Sequence, residues 1–179
     1  MKNLILLYTL FTLTCPAFGQ VKVFSSYNDF INNKYDTYKS LRKADLSNNF
    51  ILRDSLNQRS RIPRSSIWGY EDEKGITHRV WDGLPLKVDF SNERLVIYLV
   101  RKDETIILDD LIIPDTKNII YFSRSLSSEV YKMNLESILA HIDLNPQEKE
   151  MLIQLDKKNR LKKKNSDTRK YYLVEAIFE

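Results

Sequence analysis

Apolar and polar residues alternate at a period of two between Ser65 and Arg101, and this alternation predicts the main structural unit of the chain. Ile67, Trp68 and Tyr70 are strand formers, Glu71 to Gly75 is a polar loop ending in glycine, and Ile76 to Trp81 resumes with β-branched and aromatic residues. That is the pattern of a β-hairpin. Asp82-Gly83 follows as a two-residue turn signal, because both central positions of a type I′ turn need positive φ. Leu84, Leu86 and Val88 then alternate on one face of a run to Phe90, and Ser91-Asn92-Glu93 turns the chain again. Leu95 to Val100 is apolar at consecutive positions, as a central strand requires. The stretch 65–101 therefore predicts a four-stranded antiparallel meander.

The same period extends the meander to about residues 50–123. Phe50 and Leu52 alternate within a run to Leu56, Gln58 to Ile62 offers a partner strand, and Pro63 stops that run or confines it to a sheet edge. Thr105 to Ile113 is apolar around Asp109-Asp110 and is stopped by Pro114, and Lys117 to Ser123 reads as one more strand. From Tyr131 the period lengthens to three or four. Leu135, Ile138, Leu139 and Ile142 fall on one helical face behind a capping Asn134. Asn145-Pro146-Gln147-Glu148 opens a second helix with a cap, a first-turn proline and an acid near the positive end of the dipole. Its buried stripe is expected to be Met151, Leu152, Leu155 and Leu161. Near the other end, Ser25 to Ile31 reads as a capped short helix: a serine accepts from the free N–H groups of the first turn, Asp29 stands three residues after Ser26, and Phe30 and Ile31 turn inward. Residues 34–49 are polar and without period, and 171–178 is apolar enough to dock back as helix or strand. Strands first and helices later predict an α+β fold: an antiparallel meander with a short N-terminal helix, and C-terminal helices packed on one face.

Residues 1–19 have the organisation of a secretory signal peptide. Lys2 supplies the positive n-region, Leu4 to Leu13 the apolar h-region, and Ala17-Phe18-Gly19 the small-x-small cleavage pattern. The apolar run is shorter than the ~20 residues a membrane-spanning helix needs, and Pro16 breaks its end. Thr12-Leu13-Thr14 before Cys15 and Pro16 after it make a poor lipidation site. Cleavage before Gln20 leaves 20–179 as a single secreted domain of the periplasm or cell envelope, with no later apolar run long enough to cross a membrane. That domain has no cysteine, hence no disulfide, thiol nucleophile or thiolate ligand, and its core must stabilise it alone. A domain of ~150 residues can bury ~68–70% of its unfolded surface, which is sufficient.

A net charge of +4 over 179 residues is too mild to demand nucleic acid. The charge is nevertheless uneven. Lys157, Lys158, Arg160, Lys162, Lys163 and Lys164 crowd into eight residues, a footprint for an anionic glycan, lipid phosphates or nucleic acid, or else a solvated last helical turn facing the dipole's negative end. Leu161 interrupts the run and no aromatic is interleaved, so base stacking has no platform. The other ligand-binding candidates are Trp68, Tyr70 and Trp81. On neighbouring strands they make cross-strand pairs worth ~0.2–1 kcal/mol each; on an exposed face they would make a platform for a sugar ring.

Metal and catalytic chemistry find less to build on. Glu71, Asp72 and Glu73 lack the alternating oxygens and distant glutamate of a calcium loop, and read as a solvated hairpin tip. His78 and His141 are remote and stand in no HExxH or HxH pattern, so no metal or cofactor is expected. Gly-x-Ser-x-Gly is absent, Ser40-Leu41-Arg42-Lys43 keeps only the spacing of Ser-x-x-Lys, and the adjacent Asp109 and Asp110 would face opposite ways in a strand.

The helix opening Ser26-Tyr27-Asn28-Asp29-Phe30, with Trp68-Gly69-Tyr70, Gly75 and Trp81-Asp82-Gly83, resembles the layout of small secreted proteins of Bacteroidota, which are of unknown function. The resemblance covers most of the mature chain and implies no catalytic residue. Trp68-Gly69-Tyr70 with Gly75 is also similar to one WG β-repeat, but occurs once, and a repeat fold needs tandem copies. The expectation is a non-enzymatic binding or scaffolding domain of the envelope, its partner an envelope protein or glycan. The alternatives are an envelope hydrolase with an unrecognised site, or an anionic-surface module using 157–164.

Overall fold

The computed structural model describes residues 19–44, 47–100 and 119–178. The signal peptide read at 1–19, all but its last residue, and the apolar run Thr105 to Ile113 lie outside them. Strand β1 (Val21–Phe24) leads into the short helix α1 (Tyr27–Ile31), followed by β2 (Asp36–Tyr38), β3 (Ser40–Lys43), β4 (Asn49–Arg53) and β5 (Arg59–Pro63). A 3-10 turn at Arg64–Ser66 precedes β6 (Gly69–Glu71), β7 (Thr77–Trp81), β8 (Leu84–Ser91), β9 (Val96–Val100), β10 (Ile119–Ser123) and β11 (Tyr131–Lys132). Helices α2 (Leu135–His141) and α3 (Pro146–Lys157) follow, and the tail docks back as a π-helical turn, Val174–Phe178.

Among the described residues the strands form two antiparallel sheets. The larger runs β11-β10-β9-β8-β7-β6-β1-β2, so β6 to β10 are sequential neighbours and constitute the expected meander. The strands before Gly69 divide. β1 and β2 extend the large sheet beyond β6, while β3-β4-β5 makes a separate three-stranded sheet. Two of these strands, β2 and β3, lie in the polar stretch 34–49, where hydrophobic periodicity gave no signal. Asp82 and Gly83, at φ 49° and 71°, form the tight β7–β8 turn.

Burial follows the pleat. Val96, Tyr98 and Val100 point to one face of the large sheet with Leu86, and Val130 covers them. Leu95, Ile97, Ile120 and Phe122 point to the other, where Ile138, Ile142, Leu152 and the tail residues Leu173, Val174 and Ile177 pack on them. That second face continues to Val21, Val23, Tyr70 and Val80, and there the cover is Phe50 and Leu52 of the small sheet. The C-terminal helices therefore share one face with a sheet.

Short helices on a sheet bury only a narrow stripe, which corrects three expected core positions. Ile138 and Leu152 are fully buried, but Leu139 and Met151, about 100° round the helix from them, are exposed. Ile31 ends a helix of barely more than one turn and is 56% exposed. The caps are as expected: Ser26, Asn134 and Asn145 accept from the N–H groups of Asp29, Ser137 and Glu148, and the Glu148 carboxylate returns the bond to the Asn145 N–H. Arg94, in the β8–β9 turn, ties that corner to the sheet by a 2.9 Å ion pair with Glu148.

Gly69 is required by space. A Cβ there would lie 2.4 Å from the His78 carbonyl oxygen across the β6–β7 pair. Gly69→Ala is expected to destabilise the protein by about 1–3 kcal/mol, the usual range for overpacking, measured as a lower urea midpoint at unchanged m-value.

Candidate functional site

The basic run is not a helical turn. Helix α3 ends at Lys157, and Asn159 takes a left-handed conformation (φ 53°) that asparagine tolerates and that reverses the chain. The Arg160 N–H donates to the Leu155 carbonyl at 2.8 Å, completing the reversal. From there the segment is held as a strap. Leu161, 3% exposed, inserts into the core beside Leu152 and Tyr171. Lys164 makes an antiparallel bridge with Tyr171, flanked by backbone bonds from Tyr172 to Lys163 and from Asn165 to Lys170. Asn165 and Thr168 donate to the Glu175 carboxylate, closing the loop between them. Thr168 first, then Asn165, hold that carboxyl below its ordinary range.

The strap hangs on Asp89. Between Val88, opposite Tyr98, and Phe90, opposite Ile97, strand β8 is bulged, and Asp89 is the unpaired residue of the bulge. Its carboxylate accepts from Tyr171 Oη at 2.8 Å and sits 2.6 Å from Lys164 Nζ, with Lys87 Nζ 3.7 Å away. Burial alone would raise the Asp89 carboxyl; the hydrogen bonds from Lys164 and Tyr171 and the two lysine charges outweigh it and hold the group below the usual carboxylate range. Burial, then the bond to Asp89, pushes the Tyr171 phenol well above its ordinary value.

Lys164 is therefore an anchor, while its neighbours are the presented cations. Lys157, Lys158, Arg160, Lys162 and Lys163 are exposed and have no carboxylate partner among the described residues. Arg160 is steadied by the Tyr172 ring, 4.8 Å away. Arg169 and Lys170, outside the run recognised in the sequence, extend it across the loop. Residues 157–170 hold eight lysines and arginines against Asp167 alone, +7 in a chain of net +4, so the remainder carries −3.

The three aromatic candidates do not come together. Tyr70 is buried, stacked on His78 at 4.6 Å and edge-on to Phe50 at 5.7 Å. Trp68 packs in a nest with Phe24, Tyr27 and Phe30, its ring 4.5 Å from that of Phe30, and so holds α1 on the sheet. Trp81 lies on the opposite face from Tyr70, under the Arg79 guanidinium at 4.8 Å. Arg79, itself buried, donates to Tyr98 Oη at 3.1 Å, and that hydroxyl meets Ser123 Oγ at 2.8 Å.

The remaining candidates have structural partners. Asp72 closes the β6–β7 turn by accepting from the Lys74 and Ile76 N–H groups, and its other oxygen lies 3.1 Å from His78 Nε2. Glu71 pairs with Lys22 at 2.8 Å. His141, in the last turn of α2, stacks on Tyr131. The Ser-x-x-Lys spacing at 40–43 falls in strand β3, not at a helix start. Among the described residues no three His, Cys, Asp or Glu side chains gather as a metal site, and no helix is long and apolar enough to cross a membrane.

Sequence reasoning missed Asp89 and Tyr171. The available signal was an acid standing between Val88 and Phe90, where strict alternation would have placed Phe90 on the wrong face. Compared with protein-family models, curated proteins and solved structures, the chain matches none.

Replacing Asp89 by Asn leaves Lys164 without its counter-charge and is expected to cost about 1–3 kcal/mol at pH 7. Because the folded pKa is depressed, the wild-type advantage is complete above the unfolded carboxylate value of about 3.9 and is lost as pH falls through the lower folded value. Paired denaturation curves should differ equally at pH 5 and 8, and converge well below pH 4.

Proposed function

We propose that this chain is a secreted, non-enzymatic binding domain of the cell envelope that engages an anionic glycan polymer through residues 157–170. The observation that carries the reading is the strap itself: Lys157, Lys158, Arg160, Lys162 and Lys163 are exposed with no carboxylate partner among the described residues, and the segment is fixed from beneath by Leu161, Lys164 and Tyr171. A solvated charged face would need no such fixing. Because the backbone is already ordered, little conformational entropy is lost on binding. The balance of +7 here against −3 elsewhere orients the domain towards a polyanion and away from its own kind. Lysines dominate, and a flexible ammonium is a point charge without directional demand. That suits a polymer carrying repeated charges better than a single small ligand. Secretion is supported by the n-region, h-region and small-x-small pattern of residues 1–19.

The test uses heparin as the polyanion and the purified protein with Lys158, Lys162 and Lys163 changed together to glutamine, leaving the Lys164 anchor intact. Affinity at low salt should fall by about 30–100-fold, and the slope of log K against log salt should flatten by about 2–3 charges. Unfolding should be unchanged. Wild-type affinity in this variant would remove the strap from the binding surface.

A further inference from the structure

The small sheet carries a second basic surface that the sequence scatters over twenty residues. Phe50 and Leu52 point into the core, so the other residues of β4 point outward. Register then fixes their neighbours. Ser40, Arg53 and Arg59 stand in one row, and Arg42, Ile51 and Arg61 in the next. Four arginines thus share the outer face of a three-stranded sheet, with Arg53 directly opposite Arg59. Strands lie ~4.8 Å apart and same-face residues along a strand ~6.7 Å apart, so the four side chains spring from a patch about 10 Å across.

Nothing in the described structure neutralises them. No ion pair or side-chain hydrogen bond joins Arg42, Arg53, Arg59 or Arg61 to any described residue, although Lys22, Lys34, Lys87, Arg94, Arg124 and Lys164 all have acidic partners. Asp54, next to Arg53 in the chain, makes no ion pair with them; its Oδ1 accepts from the Leu56 and Gln58 N–H groups of the β4–β5 turn at 2.9 and 2.8 Å. Like charges directly opposite one another destabilise a sheet. The arrangement therefore costs stability and returns no ion pair or side-chain hydrogen bond among the described residues.

We infer that the outer face of β3-β4-β5 is an oxyanion-binding site, in which the guanidiniums of Arg42, Arg53, Arg59 and Arg61 grip sulfate, phosphate or carboxylate groups of an anionic glycan. It stands on residues and a sheet separate from the strap. The side-chain chemistry also differs, since a planar guanidinium fork pairs two N–H groups with two oxygens where an ammonium offers only charge. The face bears Ser40, Asn49, Ile51 and Pro63 besides the arginines and has no aromatic ring on which a nucleic-acid base could stack. Leu56 in the β4–β5 turn is 75% exposed, but a single apolar side chain there is too little to hold a bilayer surface.

Two quadruple variants test the site. With all four arginines changed to glutamine, heparin affinity at low salt should fall at least about tenfold, with the salt slope reduced by about 3–4. The thermal midpoint should hold or rise by about 1–2 °C as the repulsion is relieved. With all four changed to lysine, charge is kept and the fork is lost, and affinity should still fall several-fold. Unchanged heparin binding in the glutamine variant, or a lowered midpoint, overturns the site; lysine performing as well as arginine overturns fork recognition. Oligothymidylate or phosphatidylglycerol vesicles binding the wild type through these arginines more tightly than heparin would overturn the glycan assignment. Combining the glutamine variant with the strap variant separates the two surfaces: an intact strap loss beside a null effect here defeats only this inference.

Discussion

Strand β9 is apolar on both faces, and the architecture is arranged around covering it. Val96, Tyr98 and Val100 point one way and Ile97, with Leu95 just before the strand, the other, and all five are buried. Leaving either face in water would forfeit about 25 cal/mol for each Å² of apolar surface. A sheet this wide outruns any single short helix, so the face bearing Ile97 has two covers: the C-terminal helices over β9 and β10, and the small sheet over β1, β6 and β7. The small sheet exists to bury Phe50 and Leu52, and its other side is thereby committed to solvent.

The bulge in β8 follows from the same constraint. Strict alternation after Leu84, Leu86 and Val88 would carry Phe90 to the face of Tyr98, yet it packs on the face of Ile97. One extra residue resolves the conflict, and that residue is Asp89. A carboxylate in a bulge beneath the tail must find cations and donors, and Lys164 and Tyr171 supply them. Thus a packing requirement of an apolar strand fixes a polar anchor, and the anchor fixes the basic strap. The described residues include no cysteine, so there this kind of interlock stands where a disulfide could otherwise serve.

Charge is distributed by the same logic. Several acids are used within the fold, Asp72 and Asp54 by backbone N–H groups of their turns, Glu71 and Glu148 by Lys22 and Arg94. The surplus of positive charge is left on two outward surfaces, one of lysines on a strap and one of arginines on a sheet. Both are built on backbone that is hydrogen-bonded into the fold, the strap through its bridge to Tyr171 and the arginines through the ladder of β3, β4 and β5.

Local pattern was enough to read the meander from Gly69 to Val100, the Asp82-Gly83 turn and the three helix caps, because each depends on residues within a few positions of one another. The basic run was legible as charge for the same reason. Its shape was not: a helical reading of 157–164 treats Lys164 like Lys162, and only the bridge to Tyr171 and the ion pair to Asp89 separate the anchor from the exposed cations. Trp68, Tyr70 and Trp81 look like one cluster in the sequence, and the fold sends them to an aromatic nest, a buried stack and the opposite face of the sheet. The arginine face was invisible for the converse reason. Arg59 and Arg61 hint at a shared side of a strand, but Arg42 and Arg53 join them only through pairing across β3, β4 and β5. Sequence by itself settled what each segment becomes, since strand and turn propensities act over short range. Which side chains meet was decided by register and by which face the core claimed, and those are properties of the folded whole.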